Sequence, residues 1–324
     1  VSAVQKKKNR RILQLVALAL CFVMFDAAVY DLFTKRYIDR RSDEMKSKSV
    51  EVSSNLPFDA DSHIYKLDVP QKLSGDLPVL DGAAALFPMY SAFVNAVYPK
   101  DSVSFDGKDF TKDSALQFTN TRGAYKAVVD GTADIVFCAK PSKEQLEYAE
   151  QKGVKLEMVP IGYEAFVFIV NKQNPVNDLT TEQVKGIYSG KYTKWSQVGG
   201  DDSYIDAVQR NKGSGSQSAM LSFMGDTPMH RSLLGALFGR SIAYSFRYYV
   251  SNMSVNSDVK ILSLNGVYPD EKTIASKEYP ISSNFYAVYD SSNKNGNVKV
   301  LIDFILSEKG QQIVKQSGYV PLNQ

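Results

Sequence analysis

The rhythm of apolar and polar residues divides the chain. From Ile12 to Phe33 it is apolar almost without a break, interrupted by Gln14, Asp26 and Asp31. From 34 to 76 it is polar, charged and aperiodic, with alternating charge between Asp39 and Glu51. From Leu77 onward strand-like and helix-like runs alternate. Leu77–Leu80 predicts a strand, and Asp81-Gly82-Ala83-Ala84-Ala85 a tight turn into a helix ending near Val97. Asn120-Thr121 opens a helix to Val129, which Asp130-Gly131 closes. Ile135–Ala139 and Phe166–Val170 read as buried strands, with a helix around Lys143–Gln151 between them. Thr180 caps a helix through Tyr188, with Glu182 and Gln183 in its first turn. Ile205–Val208 ends a short strand, and Ala219, Met220, Leu221, Phe223 and Met224 recur at helical spacing. The alternation predicts α/β architecture with largely parallel sheets, which take ligands beyond the strand C-termini where helices begin. Three turns fit that place: Ala83–Leu86, Asn120–Gly123 and Gly213–Gln217.

Charge separates the N-terminus from the rest. The 324 residues are 44% apolar and 23% charged, enough for one or two sizeable cores. The net +3 comes from residues 1–48, which hold 11 Lys/Arg against 5 Asp/Glu; the remainder has 27 basic and 30 acidic residues. A body of about −3 argues against nucleic acid as a partner, and leaves any anion site to local dipoles and hydrogen bonds. Lys6, Lys7, Lys8, Arg10 and Arg11 precede the apolar run, which as a helix is about 33 Å long and spans a bilayer. Asp26 opposes this by roughly 3 kcal/mol if it lies near the midplane. A cleaved signal peptide is the competing reading. Leu18-Ala19-Leu20-Cys21 approaches a lipoprotein box, but Leu20 is not small, and no A-x-A-like site follows. Residues 1–33 are therefore expected to be an uncleaved anchor, basic end in the cytoplasm. Lys35, Arg36, Arg40 and Arg41 flank the other end, so the positive-inside count does not decide the orientation.

The candidate chemistry centres on Arg210-Asn211-Lys212-Gly213-Ser214-Gly215-Ser216, between the Ile205–Val208 strand and the helix that follows. Glycines admit close backbone approach, Ser214 or Ser216 can cap the helix, and Arg210 supplies a forked donor. With the unpaired N–H groups of a helix start, this makes an oxyanion cradle without a metal. The plain alternative is a Gly/Ser turn beside a solvated arginine. His63 and His230 are far apart in sequence, and Cys21 and Cys138 are not expected to meet, so no disulfide, metal site or cofactor is expected. An enzyme using Ser214 lacks a G-x-S-x-G context, a nearby histidine and paired carboxylates, and Lys212 is not in P-loop order.

These residues resemble the phosphate-binding proteins of bacterial phosphate ABC importers. The resemblance rests on Asp81–Tyr90, Gly131-Thr132-Ala133-Asp134-Ile135, Ile187-Tyr188-Ser189-Gly190 leading to Trp195, Arg210 with Gly213–Ser216, and the tail Phe304–Gln311 with Gly318–Leu322, in the same order. It covers residues 77–324 and implies a two-lobed type II periplasmic-binding-protein fold that closes by hinge motion. A polar stalk (34–76) would lead to lobe I (77–165 plus 270–324) and lobe II (166–269), with Phe166–Asn171 and Ile281–Tyr289 near the crossings. The resemblance implies phosphate contacts from Arg210, Ser214, Ser216 and the Gly215 N–H in lobe II. In lobe I it implies contacts from Asn120, Thr121 and the Ala85 N–H. Ala84 stands where the family has a threonine, and Ala139 where phosphate-specific members place an aspartate that accepts the phosphate proton. Asp81 or Glu164 is a candidate substitute carboxylate; Lys140, beside Ala139, is a candidate added charge. The implied protein is a monomeric, membrane-tethered, extracytoplasmic solute-binding protein that delivers inorganic phosphate, or a similar oxyanion, to ABC permease subunits. A non-transport sensor or interaction module with an altered pocket is the alternative.

Overall fold

The N-terminal apolar run folds as one helix, α1 (Ala3–Phe33). Within it Ile12–Asp31 is long and apolar enough to cross a membrane, and Leu13, Phe22, Met24 and Phe25 are exposed. The computed structural model describes residues 3–33, 51–210, 214–253 and 258–322.

Residues 51–76 do not form a stalk. Ile64 and Val69 are buried, and Phe58, Tyr65 and Leu67 pack against the same core. Their backbone is tied to helix α2 (Phe87–Val97): the Phe58 N–H donates to Asn95 Oδ1 at 2.9 Å and the Leu73 N–H to the Val97 carbonyl at 2.7 Å. Widely spaced apolar residues anchor this segment without any helical or strand period, so polarity alone misreads it. Residues 34–50, which carry most of the alternating charge, lie outside the described residues.

The strands are β1 (Leu80–Gly82), β2 (Ile135–Cys138), β3 (Leu156–Asn171), β4 (Asp178–Leu179), β5 (Ile205–Ala207), β6 (Arg240–Phe246), β7 (Val259–Ile261), β8 (Ser263–Leu264) and β9 (Ser282–Asp290). β1-β2-β9-β3-β6-β5 lie in that order in one sheet, β7 also pairs with β3, and β4 pairs with β8. The pairs β1–β2, β5–β6 and β4–β8 are parallel; β2–β9, β3–β9, β3–β6 and β3–β7 are antiparallel. The sheet is thus mixed rather than largely parallel. Crossover helices are visible as sequence periodicity, whereas β9 returning between β2 and β3 is not.

β3 organises the body. Its first part, Leu156–Ala165, pairs with β9, and its second, Phe166–Val170, with β6. The first part bends at a bulge between Pro160 and Gly162, where a missing ladder donor is tolerated. A Cβ at Gly162 would lie 2.4 Å from the Phe285 ring, so any larger residue there must displace that ring. One core gathers α2, Phe137, Phe285 and Tyr319 around Leu301 and Ile305 of α9 (Gly296–Leu306) and Ile313 of α10 (Glu308–Gln316). A second gathers Phe166, Phe168, Trp195, Tyr244 and Tyr279. It is closed by α5 (Thr181–Tyr188), α6 (Gly215–Met224) and Ile274 of α8 (Glu271–Ala275); α7 (Leu233–Phe238) packs by β5. A smaller cluster seals α3 (Asn120–Val129) and α4 (Lys143–Gln151) onto β2 and β9.

Capping chemistry sets the helix ends. Ser142 and Thr180 each complete a capping box, with Gln145 and Gln183 reaching back to the cap N–H. Gly131 follows the Asp130 C-cap at φ 72°, a conformation glycine takes without strain. The segment Leu77–Val79 precedes β1 instead of forming it. Asp134 accepts the Val79 N–H at 2.8 Å and an Asn293 side-chain N–H at 2.7 Å, which explains the Gly131–Asp134 motif structurally.

Candidate anion-binding site

β1 and β2 run parallel in register, Gly82 beside Phe137, so the segments leaving them emerge at the same sheet edge. One is the short 3-10 turn Ala84–Leu86 and the other begins at Ala139. The Ala83 N–H donates to the Phe137 carbonyl at 2.8 Å, fixing the first of these. Ala84, Ala85 and Ala139 are all half-buried.

Asp81, fully buried, joins α3 to that edge. Its Oδ1 accepts the Gly82 N–H at 2.7 Å and the Thr119 N–H at 2.8 Å, and its Oδ2 accepts the Thr119 hydroxyl. Burial raises its pKa, and the Thr119 hydroxyl, the Thr119 N–H and the Gly82 N–H oppose that rise. Thr119 is the N-cap of α3, yet its hydroxyl makes no capping bond because it is turned to Asp81. The first N–H groups of α3 therefore have no side-chain cap, and the positive helix end is open to an anion. Asn120, the first helical residue, is exposed and holds φ 61°, unusual outside glycine. Tyr125 of α3 donates its hydroxyl to the Ala139 carbonyl at 2.6 Å, tying the third segment in.

From the second core comes the start of α6. Ser214 is its N-cap, the hydroxyl accepting the Gln217 N–H at 3.2 Å and keeping its own proton to donate. Ser216, the other candidate cap, is instead buried inside the first turn. The Gln217 side chain, at capping-box spacing, is diverted. Its Oε1 accepts the Arg210 N–H at 3.0 Å and the Tyr244 hydroxyl, while the Tyr244 oxygen also accepts the Arg210 N–H at 3.1 Å. Asn211, Lys212 and Gly213 lie outside the described residues. Burial lowers the Arg210 pKa, and the phenols of Tyr249 and Tyr244 oppose the shift. A guanidinium stays protonated under such a shift, so Arg210 is a half-buried cation. Among the described residues no carboxylate pairs with it.

The two groups of residues meet. A Cβ at Gly215 would lie 3.3 Å from Thr121 Oγ1 and 3.7 Å from the Phe246 ring. The starts of α3 and α6 thus face each other, with Arg210 pinned beside one of them. Thr119, Gln217, Tyr244 and Phe246 belong to this setting although their contacts are long-range; only the Ser214-x-x-Gln217 spacing hinted at one of them. Of the substitute carboxylates, Asp81 is spent on the start of α3. Glu164 lies on β3, its Oε1 accepting the Ala165 N–H at 2.8 Å. Lys140 is exposed. His63, His230, Cys21 and Cys138 enter none of these contacts, and among the described residues no cluster of metal-ligating side chains occurs.

A PBP superfamily domain model matches residues 82–309. The chain is 29% identical over 198 residues to the phosphate-binding protein PstS of Borreliella burgdorferi, covering 55% of this chain and 68% of that protein. It is 25% identical over 262 residues to PstS of Staphylococcus saprophyticus, covering 75% and 79%. Among solved structures it resembles a putative phosphate ABC transporter substrate-binding protein with bound phosphate from Clostridium perfringens. There the identity is 27% and the TM-score 0.58, over 76% of this chain and 99% of that one.

Proposed function

The chain belongs to the PBP superfamily, and from that premise we propose that it binds a tetrahedral oxyanion, inorganic phosphate first, between two lobes. Lobe I is 77–165 plus 270–324, joined by 51–76, and lobe II is 166–269. The observation that carries this reading is the meeting of two helix starts, Thr121 against Gly215, beside a half-buried Arg210 with no carboxylate partner among the described residues. A desolvated cation is costly alone, and a bound anion supplies the missing charge. Arg210 grips two oxygens, the Ser214 and Ser216 hydroxyls and the Gly215 N–H take others from lobe II, and Asn120, Thr121 and the Ala85 N–H close from lobe I. The names of the relatives support phosphate as the ligand.

The site is read as a binder because the relatives the chain resembles are named as binding proteins. α1 anchors the chain in the membrane with the lobes on the extracytoplasmic side, and the bound anion is handed to ABC permease subunits. Equilibrium dialysis of the full chain in detergent with labelled phosphate tests the ligand. Saturable binding is expected, and its absence would remove phosphate from the proposal. Fractionation after bacterial expression is expected to leave the protein in the membrane, with the lobes digested by protease added to spheroplasts. A soluble product with a new N-terminus between 20 and 40 would contradict the anchor.

A further inference from the structure

The lobe crossing contains a cluster that touches the site without belonging to it. β3 pairs Phe166 with Phe246 of β6, and continuing that register by two residues sets Glu164 opposite Tyr248. At that point β6 has ended and β9 has taken over, Glu164 lying beside Ser283. The Glu164 carboxyl receives the Tyr248 N–H in its place, Oε2 accepting at 3.3 Å while Oε1 holds the Ala165 N–H. Tyr248 follows a strand of the second core, yet its ring is buried in the first, stacked on Tyr319 at 4.1 Å between centroids and 23° between planes. Tyr319 is held by the tail running beside β3, where the Tyr163 N–H donates to the Val320 carbonyl at 2.7 Å. Its hydroxyl donates to the carbonyl of Ala85, in the turn that presents the first-lobe backbone N–H.

We propose that Glu164, Tyr248 and Tyr319 are positioning residues that latch the lobe crossing to the Ala84–Leu86 anion turn, so that lobe closure takes up a proton on Glu164. Parting the lobes separates Tyr248 from Tyr319 and admits water to Glu164; joining them dries the carboxyl. Arg247 faces the carboxyl and favours its charge, while the phenols of Tyr248 and Tyr319 face it from the other two elements. Burial outweighs Arg247 and the two N–H donors and pushes the Glu164 pKa up to about 7. Between the ordinary carboxyl range and about 7, the joined lobes hold a proton that the parted lobes release. Closure is therefore favoured as pH falls through that window.

The inference rests on the anion-binding reading, and its test separates the two. Phosphate affinity of the full chain in detergent is measured from about pH 5 to about pH 7 for wild type and Glu164→Gln. The ionisation of phosphate itself is common to both and cancels in their ratio. Wild-type affinity is expected to gain on the order of ten-fold over the variant as pH falls across the window. Tyr319→Phe, which keeps the ring stack and loses the Ala85 bond, is expected to weaken binding about five-fold with its pH profile retained. Parallel profiles for wild type and Glu164→Gln would overturn the latch while leaving phosphate binding intact. Hydrogen exchange of residues 246–250 without ligand supplies a readout independent of affinity. Exchange in wild type relative to Glu164→Gln, compared at matched pH, is expected to slow toward pH 5. An unchanged ratio would also overturn the latch.

Discussion

Arg210 is a half-buried cation that no carboxylate among the described residues neutralises. Its backbone is gripped by Gln217 and Tyr244, so the side chain leaves a fixed point. Arg210→Ala is expected to cost on the order of 2–4 kcal/mol of phosphate binding, roughly 30- to 1000-fold. Arg210→Lys should recover little, since an ammonium cannot reproduce the fork. Gly215→Ala separates binding from folding. An alanine in the first turn of α6 changes stability by no more than about 1 kcal/mol. Its methyl, 3.3 Å from Thr121 Oγ1, crowds the meeting of the helix starts and should lower affinity about ten-fold. Thermal unfolding and calorimetry on one variant check both halves. On the proposed reading Ala139, half-buried just after β2, is the position from which a carboxylate would face the anion and reject sulfate. With Asp81 turned to Thr119 and Glu164 at the crossing, neither is positioned as a free replacement. Sulfate in excess should therefore displace phosphate, and Ala139→Asp should raise the phosphate-to-sulfate ratio in competition binding. Failure of excess sulfate to displace phosphate would show that another acceptor takes the proton.

Among the elements, those with local signals were legible. Thr180 and Gln183 announce α5, Asp130-Gly131 ends α3, and the apolar run Ile135–Cys138 is β2. Only the part of β3 from Phe166 is legible, because Pro160 and Gly162 break the pattern of Leu156–Glu164, and the Phe285 and Val320 contacts at Gly162 come from elsewhere in the chain. The same distinction holds at the site. Arg210, Ser214 and Gly215 stand in one readable string, whereas Tyr244 and the Asp81–Thr119 contact depend on tertiary neighbours 34 and 38 residues away. The ladder that links the two cores also gives a stability prediction. Gly162→Ala places a Cβ against the Phe285 ring and the Val320 carbonyl and should cost about 1–3 kcal/mol in denaturant unfolding.

For the whole molecule, the buried carboxyl at the crossing links protonation to stability. With the lobes joined, Glu164 holds its proton up to about pH 7, well above its ordinary 4.5. The folded state with joined lobes therefore binds more protons than the unfolded chain within that window, and its stability rises as pH falls through it. The contribution is fully present below the unfolded value, is lost as pH rises through about 7, and amounts to ~3 kcal/mol. Unfolding of wild type minus Glu164→Gln across the window isolates this carboxyl from the rest. Binding of phosphate between the lobes by Arg210 and two opposed helix starts is tested most directly by calorimetric titration of the full chain with phosphate, wild type against Arg210→Ala. Single-site binding is expected in wild type, with a loss of at least about 30-fold in the variant. Equal affinities in the two proteins would place the anion elsewhere and contradict this reading.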